Sequence, residues 1–377
     1  MLDFYEFFAG GGMARLGLGS SWNCLFANDF DPKKADAYRQ HHGGSAMHVG
    51  DIAQLQPHEL KGRADLAWAS FPCQDLSLAG QGRGLEGSRS GTFWSFWQLM
   101  DGLKKEGRAP AIIALENVCG AITSNHGRDF SELVRAVCGL GYRVGCLVID
   151  AAHFVPQSRP RLFMLAVGPE VQLPSDALRS DPSSLWHPRN LVEAKFMLPK
   201  PLQDKWLWWN LALPPERQNV FADLIEPEPL GVSWNSDEKT QALLATMSVL
   251  NREKVKAVQQ AKRLRIGALY KRTRGGVVRA EVRFDDIAGC LRTPSGGSSR
   301  QTVLVVNGDS VRSRLVSPRE AGRLMGLPED YKLPQKYNDA YHLVGDGLVV
   351  PAVAHLADHL ITPIARANQQ ATLAFAA

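Results

Sequence analysis

Short apolar runs alternate with amphipathic spacers along the first half of the chain. The apolar runs lie at residues 2–8, 24–28, 65–70, 111–115, 144–150 and 162–167, and the clearest spacer lies at residues 13–18. Runs of this length predict buried strands, whereas apolar positions spaced by three or four residues predict helices. Strands alternating with helices predict an α/β fold with a doubly wound, mostly parallel sheet.

The pattern changes after residue 168. Residues 169–300 are rich in proline, tryptophan and charged residues and have no regular alternation of strands and helices. This composition predicts a second, more irregular domain. Trp206, Trp208 and Trp209 lie close together within it, and we interpret them as core residues of this smaller domain.

Helical spacing returns near the C-terminus. Residues 314–327 predict a helix, in which Ser317, the following proline and Glu320 match an N-cap, a first-turn proline and a capping acid. A last helix is predicted over residues 350–361, and we expect residues 366–377 to fray.

The overall composition narrows the class of protein. The chain has 377 residues, of which 45% are hydrophobic and 21% charged, as in soluble globular proteins. No apolar stretch reaches the ~18 residues of a membrane span, and the N-terminus lacks the basic region of a secretory signal. The six cysteines form no Cys-x-x-Cys pair, so we expect a reducing compartment and no metal site. The net charge of +5 favours a polyanionic partner only weakly.

A glycine-rich turn joins the first strand to the first helix. It contains Gly10 and Gly12, and Asp29 ends the second strand about 20 residues later. In doubly wound folds such a turn approaches a nucleotide-type cofactor, and an acid at that place accepts its ribose hydroxyls. The alternative is an ordinary tight turn with surface acids. The spacing alone does not distinguish a dinucleotide from S-adenosylmethionine.

Three kinds of reactive side chain are expected at the carboxyl edge of the sheet. Cys73 follows the third strand, Glu116 ends the next core strand, and Arg159 and Arg161 precede the last strand. Neighbouring guanidinium groups favour the nucleophilic thiolate form of a cysteine. A structural ion pair between Glu116 and Arg161 is the alternative interpretation of those two residues. The other five cysteines are interpreted as small core residues.

Five segments of the sequence together resemble one enzyme family. They are Phe-Phe-Ala-Gly-Gly-Gly (residues 7–12), Phe-Pro-Cys-Gln-Asp-Leu-Ser (71–77), Glu-Asn-Val (116–118), Gln-Ser-Arg-Pro-Arg (157–161) and Leu-Val-Ser-Pro-Arg-Glu-Ala-Gly-Arg-Leu-Met-Gly-Leu-Pro (315–328). In this order they closely resemble the DNA (cytosine-5) methyltransferases of bacterial and phage restriction-modification systems. The resemblance covers residues 1–168 and 314–361.

The resemblance implies a fold, a reaction and a division into domains. The fold would be a Rossmann-like S-adenosylmethionine-dependent methyltransferase sheet with a smaller irregular target-recognition domain. The reaction would transfer a methyl group from S-adenosylmethionine to C5 of a cytosine in a specific duplex DNA sequence. The implied domains are a catalytic domain of residues 1–168 and 340–377, a target-recognition domain of residues 169–313, and a hinge with a connecting helix at residues 314–339.

The resemblance also implies the catalytic roles. Cytosine C5 is a poor nucleophile, and addition of the Cys73 thiolate at C6 would make it reactive. Glu116, protonated or sharing a proton, would bond N3 and the exocyclic amine. Arg161 would bond the cytosine O2, and Arg159 would help to orient the loop and backbone. The target base would have to be flipped out of the duplex.

Cofactor residues follow from the same motifs. Asp29 stands where the family usually has glutamate, and Asp346 stands in Gly-Asp-Gly where the family has Gly-Asn. The additional charge of Asp346 would either favour the sulfonium or repel the carboxylate of the cofactor. The residues implied to hold S-adenosylmethionine are Phe8, Gly10, Gly12, Asp29, Asp51, Ile52, Pro72 and Asp346.

One segment carries most of the basic charge. Residues 252–283 contain eleven basic and two acidic residues, a net charge of +9. Basic side chains pair with phosphates, and arginine can also bond guanine edges; a solvated charged face is the alternative. The expected DNA contacts are Gln74, Ser77, Arg263, Arg265, Lys271, Arg272 and Arg274.

The expected partner is double-stranded DNA, and no membrane is involved. We expect a monomer in the bacterial cytoplasm, associated with the nucleoid through DNA, and a cognate restriction endonuclease is a possible companion. A tRNA cytosine-5 methyltransferase of the same fold and a catalytically inactive DNA-binding relative are the alternatives. A nicotinamide dehydrogenase is a more distant one, because it leaves the Pro72-Cys73 loop without a role.

Overall fold

The computed structural model describes residues 1–72, 91–293 and 300–376, without the side chains of residues 274, 373, 375 and 376. These residues form two compact units. The first unit consists of Met1–Ile149, Pro160–Leu213 and Ala352–Ala377, and the second of Asp150–Arg159 and Pro214–Pro351.

A seven-stranded sheet forms the centre of the first unit in the described part of the chain. Its strands are β1 (Leu2–Phe7), β2 (Trp22–Asp29), β3 (Met47–Val49), β4 (Leu66–Ala69), β5 (Ile112–Val118), β6 (Arg143–Asp150) and β7 (Pro160–Val167). Their order is β3-β2-β1-β4-β5-β7-β6. The neighbours from β3 to β5 run parallel, whereas β7 runs antiparallel to β5. The predicted α/β sheet is confirmed, and it gathers the carboxyl ends of β1, β2, β4 and β5 at one edge.

Helices accompany the strands of the first unit. They are α1 (Met13–Leu18), α2 (Pro32–His42), α3 (Thr92–Lys105), α4 (Arg128–Gly139), α5 (Arg189–Met197) and α6 (Lys200–Gln203). Apolar side chains of α3 and α4, such as Phe96 and Val134, pack with Phe7 and Leu115 of the sheet in one buried core. Both faces of the sheet are apolar, as parallel sheets require.

The tryptophans of residues 206–209 lie in the first unit, so their predicted place in the smaller domain is wrong. Trp206 is 8% exposed and packs in the core of the first unit, where its ring centroid lies 6.1 Å from that of Phe130. Trp209 is completely buried. The Val144 amide on β6 donates to the Lys205 carbonyl, and the Leu207 amide donates to the Val144 carbonyl. These bonds hold the segment against the sheet, a long-range pairing that composition does not reveal.

The second unit contains its own sheet. Its elements are α7 (Asp237–Ala245), α8 (Val249–Gln260), β8 (Arg265–Arg274), β9 (Val277–Arg283), β10 (Thr302–Asn307), β11 (Ser310–Leu315), α9 (Pro318–Leu324) and α10 (Tyr337–Asp346). The four strands are antiparallel in the order β11-β10-β8-β9. One face buries Leu269, Ala280 and Leu304 against Leu243 of α7 and Val255 of α8.

The predicted cap of α9 is confirmed, but the predicted start of that helix is wrong. Ser317 Oγ accepts from the Glu320 amide and Glu320 Oε2 accepts from the Ser317 amide, which is a capping box behind Pro318. Arg314, however, belongs to β11 and pairs with Val303. Its guanidinium donates to both Glu320 oxygens at 2.6 and 2.8 Å, and both side chains are completely buried. This ion pair draws Arg314 into the sheet.

The C-terminal residues return to the first unit as α11 (Val350–Leu356), a π-helical turn (Ala357–Ile361) and α12 (Thr362–Ala376). The fraying expected from residue 366 is wrong as far as Gln369. Trp22 Nε1 donates to Thr362 Oγ1 at 3.0 Å, and Gln369 Nε2 donates to Asp65 Oδ2 at 3.1 Å. These contacts anchor α12 as far as Gln369.

One described stretch, Tyr337–Thr372, has the length and hydropathy of a membrane span, but 67% of its most apolar window is buried inside the protein. Burial of this kind is typical of a core helix.

The compact units differ from the predicted domains. Residues 169–213 pack with the first unit and residues 340–351 with the second. The predicted target-recognition and hinge boundaries describe functional segments, which packing alone does not test, so they stay predictions.

Candidate active site

The turn after β1 lines an open space with backbone. Phe8, Gly10 and Gly12 all have positive φ, of 57°, 54° and 77°. The Gly10 amide donates to Asp29 Oδ2 at 2.7 Å, and a Cβ atom built on Gly10 would meet no atom within 4 Å. A ligand can therefore approach the backbone closely at Gly10, which fits the cofactor cradle expected there.

Gly12, in the same turn, packs against the side chains of His42 and Tyr38. A Cβ atom on Gly12 would lie 2.5 Å from the His42 ring and 2.8 Å from the Tyr38 ring. His42 Nε2 donates to the Gly12 carbonyl at 3.0 Å. Burial, with contributions from Arg15 and His41, lowers the pKa of His42 to about 4, so this histidine is neutral at neutral pH.

We expect Gly12→Ala to destabilise the fold by roughly 2–5 kcal/mol, because the added methyl combines a left-handed backbone with steric overlap. Gly10→Ala is the matched control. Its backbone is equally left-handed but its surroundings are open, so we expect a loss of roughly 1–2 kcal/mol. Denaturant unfolding of both variants measures the difference. Equal unfolding midpoints would contradict the steric role of His42 and Tyr38.

Asp29 lies at the end of β2, where the sequence predicts the ribose contact. Its side chain is anchored by two backbone amides, from Gly10 to Oδ2 and from Asp31 to Oδ1, the latter at 2.8 Å. Burial raises the pKa of this carboxyl group, opposed in part by those two hydrogen bonds. Each oxygen keeps a second lone pair, so Asp29 can still accept a hydroxyl hydrogen bond.

Asp51 and Ile52 follow β3. Asp51 is exposed, and its Oδ1 accepts from the Ala53 amide at 2.9 Å as the cap of a short turn. Ile52 is 4% exposed and packs into the core of the first unit. Only Asp51 therefore offers substantial surface, and the contact of both residues with adenine stays a prediction.

Glu6 is a buried acid that no sequence motif indicated. It is the second-last residue of β1 and is 1% exposed, and neither carboxylate oxygen makes a well-formed hydrogen bond with the described residues. Burial raises its pKa to about 8, opposed in part by the charge of Arg15 and reinforced by that of Asp29. A second charged residue, besides Asp3, in a mostly apolar strand was the available signal in the sequence.

We expect Glu6 to make the fold less stable as pH rises. In the unfolded chain a glutamate ionises near 4.5, whereas in the folded protein Glu6 ionises near 8. The native state therefore binds more protons between these values, and the free energy of unfolding falls with rising pH. Relative to Glu6→Gln, the wild type should lose roughly 3–5 kcal/mol across this range. Parallel pH curves of the two proteins in urea unfolding would contradict the buried, protonated Glu6.

Glu116 and Arg161 form an ion pair, which was the alternative interpretation of these two residues from the sequence. Glu116 is paired with Phe163 across β5 and β7, so Arg161, two residues before Phe163, is its diagonal neighbour on the same face. Arg161 Nε lies 3.3 Å from Glu116 Oε1, and the two side chains are 17% and 12% exposed. The pair is formed while both groups remain accessible from solvent.

The loop after β4 begins beside this pair. Asn117 Nδ2 donates to the Phe71 carbonyl at 3.3 Å and Asn117 Oδ1 accepts from the Val118 amide at 2.9 Å. Phe71 is 4% exposed and Pro72 is exposed. Cys73, Gln74 and Ser77 lie outside the described residues, so their predicted roles rest on the sequence.

Arg159 belongs to the second unit and is 3% exposed. Its Nη1 donates to the Leu291 carbonyl at 2.7 Å, and its Nη2 donates to the carbonyls of Gly345 and Gly347 at 2.9 and 2.8 Å. Its amide donates to Asp150 Oδ1 at 2.7 Å. The guanidinium thus holds the backbone on both sides of residue 346.

Asp346 is exposed at the C-terminal end of α10. A negative charge there opposes the helix dipole and weakens the helix end. The carbonyls of its two glycine neighbours are held by Arg159. Arg159 therefore holds the backbone that carries Asp346.

The predicted DNA-binding residues lie around β8. Arg263 is exposed in the turn before the strand, and Arg265 is exposed at its first residue. Lys271 and Arg272 are exposed near its other end. Arg274 is the last residue of β8, and its side chain is outside the described residues.

Comparison with known proteins decides the family. The profile of the C-5 cytosine-specific DNA methylase family matches residues 2–362. The chain belongs to the C-5 cytosine-specific DNA methylase family. This methylase transfers a methyl group from S-adenosylmethionine to C5 of cytosine in DNA, as the sequence motifs predicted.

Relatives of known function are type II methyltransferases. The methylase is 26% identical over 359 residues to M.HhaI of Haemophilus parahaemolyticus, covering 94% of this chain and 93% of that one. It is 27% identical over 368 residues to M.MthTI of Methanothermobacter thermautotrophicus, covering 94% and 96% of the two chains.

Solved structures share the fold. The Entamoeba histolytica methyltransferase EhMeth matches with a TM-score of 0.60 and 13% identity over 96% of this chain and 98% of that chain. The S. pombe Dnmt2 methyltransferase matches with a TM-score of 0.55 and 17% identity over 97% and 99% of the two chains. The predicted fold class is confirmed.

Three of the remaining cysteines of the methylase are buried. Burial raises the pKa of Cys24 to about 12 and also raises the pKa of Cys138 and Cys146. These thiols stay protonated at neutral pH, and a protonated thiol is a poor nucleophile.

Gln157 is a structural residue whose part the sequence did not reveal. It is completely buried; its Nε2 donates to the Leu324 carbonyl at 2.7 Å, and its Oε1 accepts from the Leu291 amide at 2.9 Å. Its position beside Arg159 in the motif of residues 157–161 was the only signal. Gln157 and Arg159 together anchor the segments around residues 291, 324 and 345.

Proposed function

We propose that the methylase acts through a Cys73 nucleophile assisted by Glu116 and Arg161. The Cys73 thiolate adds to C6 of cytosine, which moves electron density to C5 and makes that carbon nucleophilic. After methyl transfer a base removes the C5 proton, the C6–S bond breaks, and the thiolate leaves. The observation that supports this proposal best is the partly accessible Glu116–Arg161 pair, beside the chain that leads into Cys73.

Glu116 is proposed to hydrogen-bond N3 and the exocyclic amine of the cytosine. With Arg161 at 3.3 Å, a proton on Glu116 leaves the two side chains with a net positive charge. That charge stabilises the electron density that the thiolate pushes into the ring. Arg161 is proposed to donate to O2 of the same base.

Arg159 is proposed to be a positioning residue. Its two terminal nitrogens are already bonded to backbone carbonyls, at Leu291, Gly345 and Gly347. A guanidinium used in this way orients the backbone around Asp346.

The cofactor residues are proposed on the open turn after β1. When bound, S-adenosylmethionine supplies an electrophilic methyl group on a sulfonium. Gly10 and Gly12 leave the backbone accessible, and Asp29 accepts from the ribose hydroxyls with its remaining lone pairs. Phe8, Asp51, Ile52, Pro72 and Asp346 are proposed to complete the site.

The substrate is proposed to be duplex DNA with the target cytosine flipped out, because C5 is inaccessible within the stack. Gln74 and Ser77 contact the DNA around that base, and Arg263, Arg265, Lys271, Arg272 and Arg274 contact the duplex further along. We also propose a monomer in the bacterial cytoplasm, associated with the nucleoid, that methylates one specific sequence. A cognate restriction endonuclease would recognise the same sequence.

Bisulfite sequencing of genomic DNA from cells that express the methylase tests this function. We expect one short sequence to be methylated at nearly every occurrence, and none in cells carrying the empty vector. Methylation of tRNA instead of DNA in a tritium-transfer assay would favour the tRNA alternative. Failure to bind S-adenosylmethionine in calorimetry would favour the inactive DNA-binding alternative.

A further inference from the structure

The end of the second sheet is a two-stranded ribbon. Strand β10 pairs with β8 only up to Leu269, whereas β9 pairs with β8 as far as Arg274. Residues 271–279, here called the β8–β9 ribbon, therefore extend past the last β10 partner. Gly275 and Gly276 close it with positive φ of 56° and 76°, as a type I′ hairpin turn requires.

The β8–β9 ribbon is exposed on both faces. Lys271, Arg272, Thr273 and residues 275–279 are all exposed. Val277 and Val278 are 53% and 50% exposed, although such side chains usually face a core when they lie in a strand. The ribbon thus extends into solvent and buries little of its own surface.

Two arginines stand opposite each other on one face of this ribbon. Arg272 of β8 is the direct cross-strand partner of Arg279 of β9. The next pair on that face is Tyr270 with Glu281, whose side chains share a hydrogen bond of 2.7 Å. The guanidinium of Arg272 lies 5.0 Å from the Tyr270 ring centroid, and its Nε lies 4.0 Å from Glu281 Oε2.

This arrangement does not serve folding. Like charges directly opposite on neighbouring strands are destabilising. Arg272 is partly compensated by Tyr270 and Glu281, whereas Arg279 is exposed and has no ion pair or hydrogen bond among the described residues. The opposite face has no such conflict, since Lys271 is paired with Ala280 and Thr273 with Val278.

The shape and chemistry of the ribbon fit the major groove of DNA. That groove admits a two-stranded β-ribbon, and arginine binds the O6 and N7 atoms of guanine there through two hydrogen bonds. Resting on the proposed function, we propose that Arg272 and Arg279 are the guanine-reading pair of this methylase. The structure thereby adds Arg279, which lay outside the predicted contacts, and separates this pair from Lys271 on the other face.

Conservative variants separate base reading from charge. Arg272→Lys and Arg279→Lys keep the positive charge for phosphates but lose the two-pronged contact with guanine. Each should lower the preference for guanine over other bases at one position of the recognition sequence by about 10- to 100-fold in kcat/KM. Binding to duplexes of unrelated sequence should stay within about twofold, because it depends on charge. Arg189→Lys, at an exposed arginine of α5, is the matched control and should keep the full preference.

The assay maps the wild-type methylation sequence on unmethylated genomic DNA by bisulfite sequencing, and then measures kcat/KM on duplexes with each base pair exchanged. A duplex with 7-deazaguanine at each guanine removes only the N7 acceptor. The wild type should be slowed at one or two guanines, and the matching lysine variant should be slowed less. Thermal unfolding should give closely similar midpoints for all variants, because both side chains are exposed and lysine keeps their charge.

The negative results have different meanings. Absence of any cytosine methylation by the wild type overturns the proposed function. Two other results overturn only the assignment of Arg272 and Arg279. One is a methylating wild type whose base preference is unchanged in both lysine variants. The other is a recognition sequence whose only guanine is paired with the target cytosine.

Discussion

Cys73→Ala is expected to lose methyl transfer to duplex DNA by at least about 10⁴-fold, because the covalent step has no other nucleophile. Without thiolate addition at C6, cytosine C5 is too electron-poor to accept a methyl group. DNA binding should be largely retained, because the thiol is only one small contact. Transfer of tritiated methyl groups measures the loss, and a gel-shift assay measures the binding.

Cys138→Ala is the control for this variant. Its thiol is buried in α4 and protonated, so its removal should leave kcat unchanged. If Cys73→Ala retains more than a small percentage of the wild-type rate, Cys73 is not the nucleophile. A matching loss in Cys138→Ala would show that the assay reports folding.

Glu116→Gln is expected to lower kcat by about 10²–10⁴-fold, because the amide keeps the shape of the acid but cannot supply its proton. The Michaelis constant for DNA should change much less, because the effect lies in the transition state. The variant also leaves Arg161 without its carboxylate partner at 3.3 Å. Steady-state kinetics on the mapped recognition duplex measure both constants.

A double-mutant cycle with Arg161→Lys gives the control. Because Glu116 and Arg161 act on one base, the two losses should be strongly non-additive. Glu132→Gln, at an exposed acid of α4 that pairs with Arg135, should leave both constants unchanged. Additive losses would mean that the pair does not work as a unit.

Elements of both units were predictable where their signals are local. The apolar runs at residues 2–8 and 111–115 became β1 and β5, and the capping signature at Ser317 became the cap of α9. Each depends on side chains within a few positions of one another. The carboxyl edge follows from the sheet order, so a shared edge for Glu116 and the loop at Pro72 was also predictable.

Long-range contacts explain the errors. Arg314 has helical surroundings in sequence, but Glu320 and the Val303 strand hold it in β11. Trp206 looks like a residue of the second domain, but the backbone of Val144 binds its neighbours to the first sheet. The C-terminal tail lacks its own stabilising pattern, and Trp22 and Asp65 anchor it from the other end of the chain.

The candidate site likewise contains residues that the sequence predicted and contacts that it did not. Family motifs pointed to Glu116, Arg161 and the glycine turn without any structure. The partners of Arg159 lie more than 130 positions away at Leu291 and Gly345, so no local pattern could reveal them. The conflict between Arg272 and Arg279 likewise depends on the register of β8 and β9, which the glycine turn alone does not reveal.

Trapping of the covalent intermediate tests the central claim most directly. A recognition duplex with 5-fluorocytosine at the target position is incubated with the methylase and S-adenosylmethionine, and the product is digested for peptide mass mapping. Fluorine at C5 cannot leave as a proton does, so the enzyme should remain attached through one peptide, the one that contains Cys73, and Cys73→Ala should form no adduct. An adduct at another residue, or methylation of the fluorinated duplex with release of the enzyme, would contradict the account.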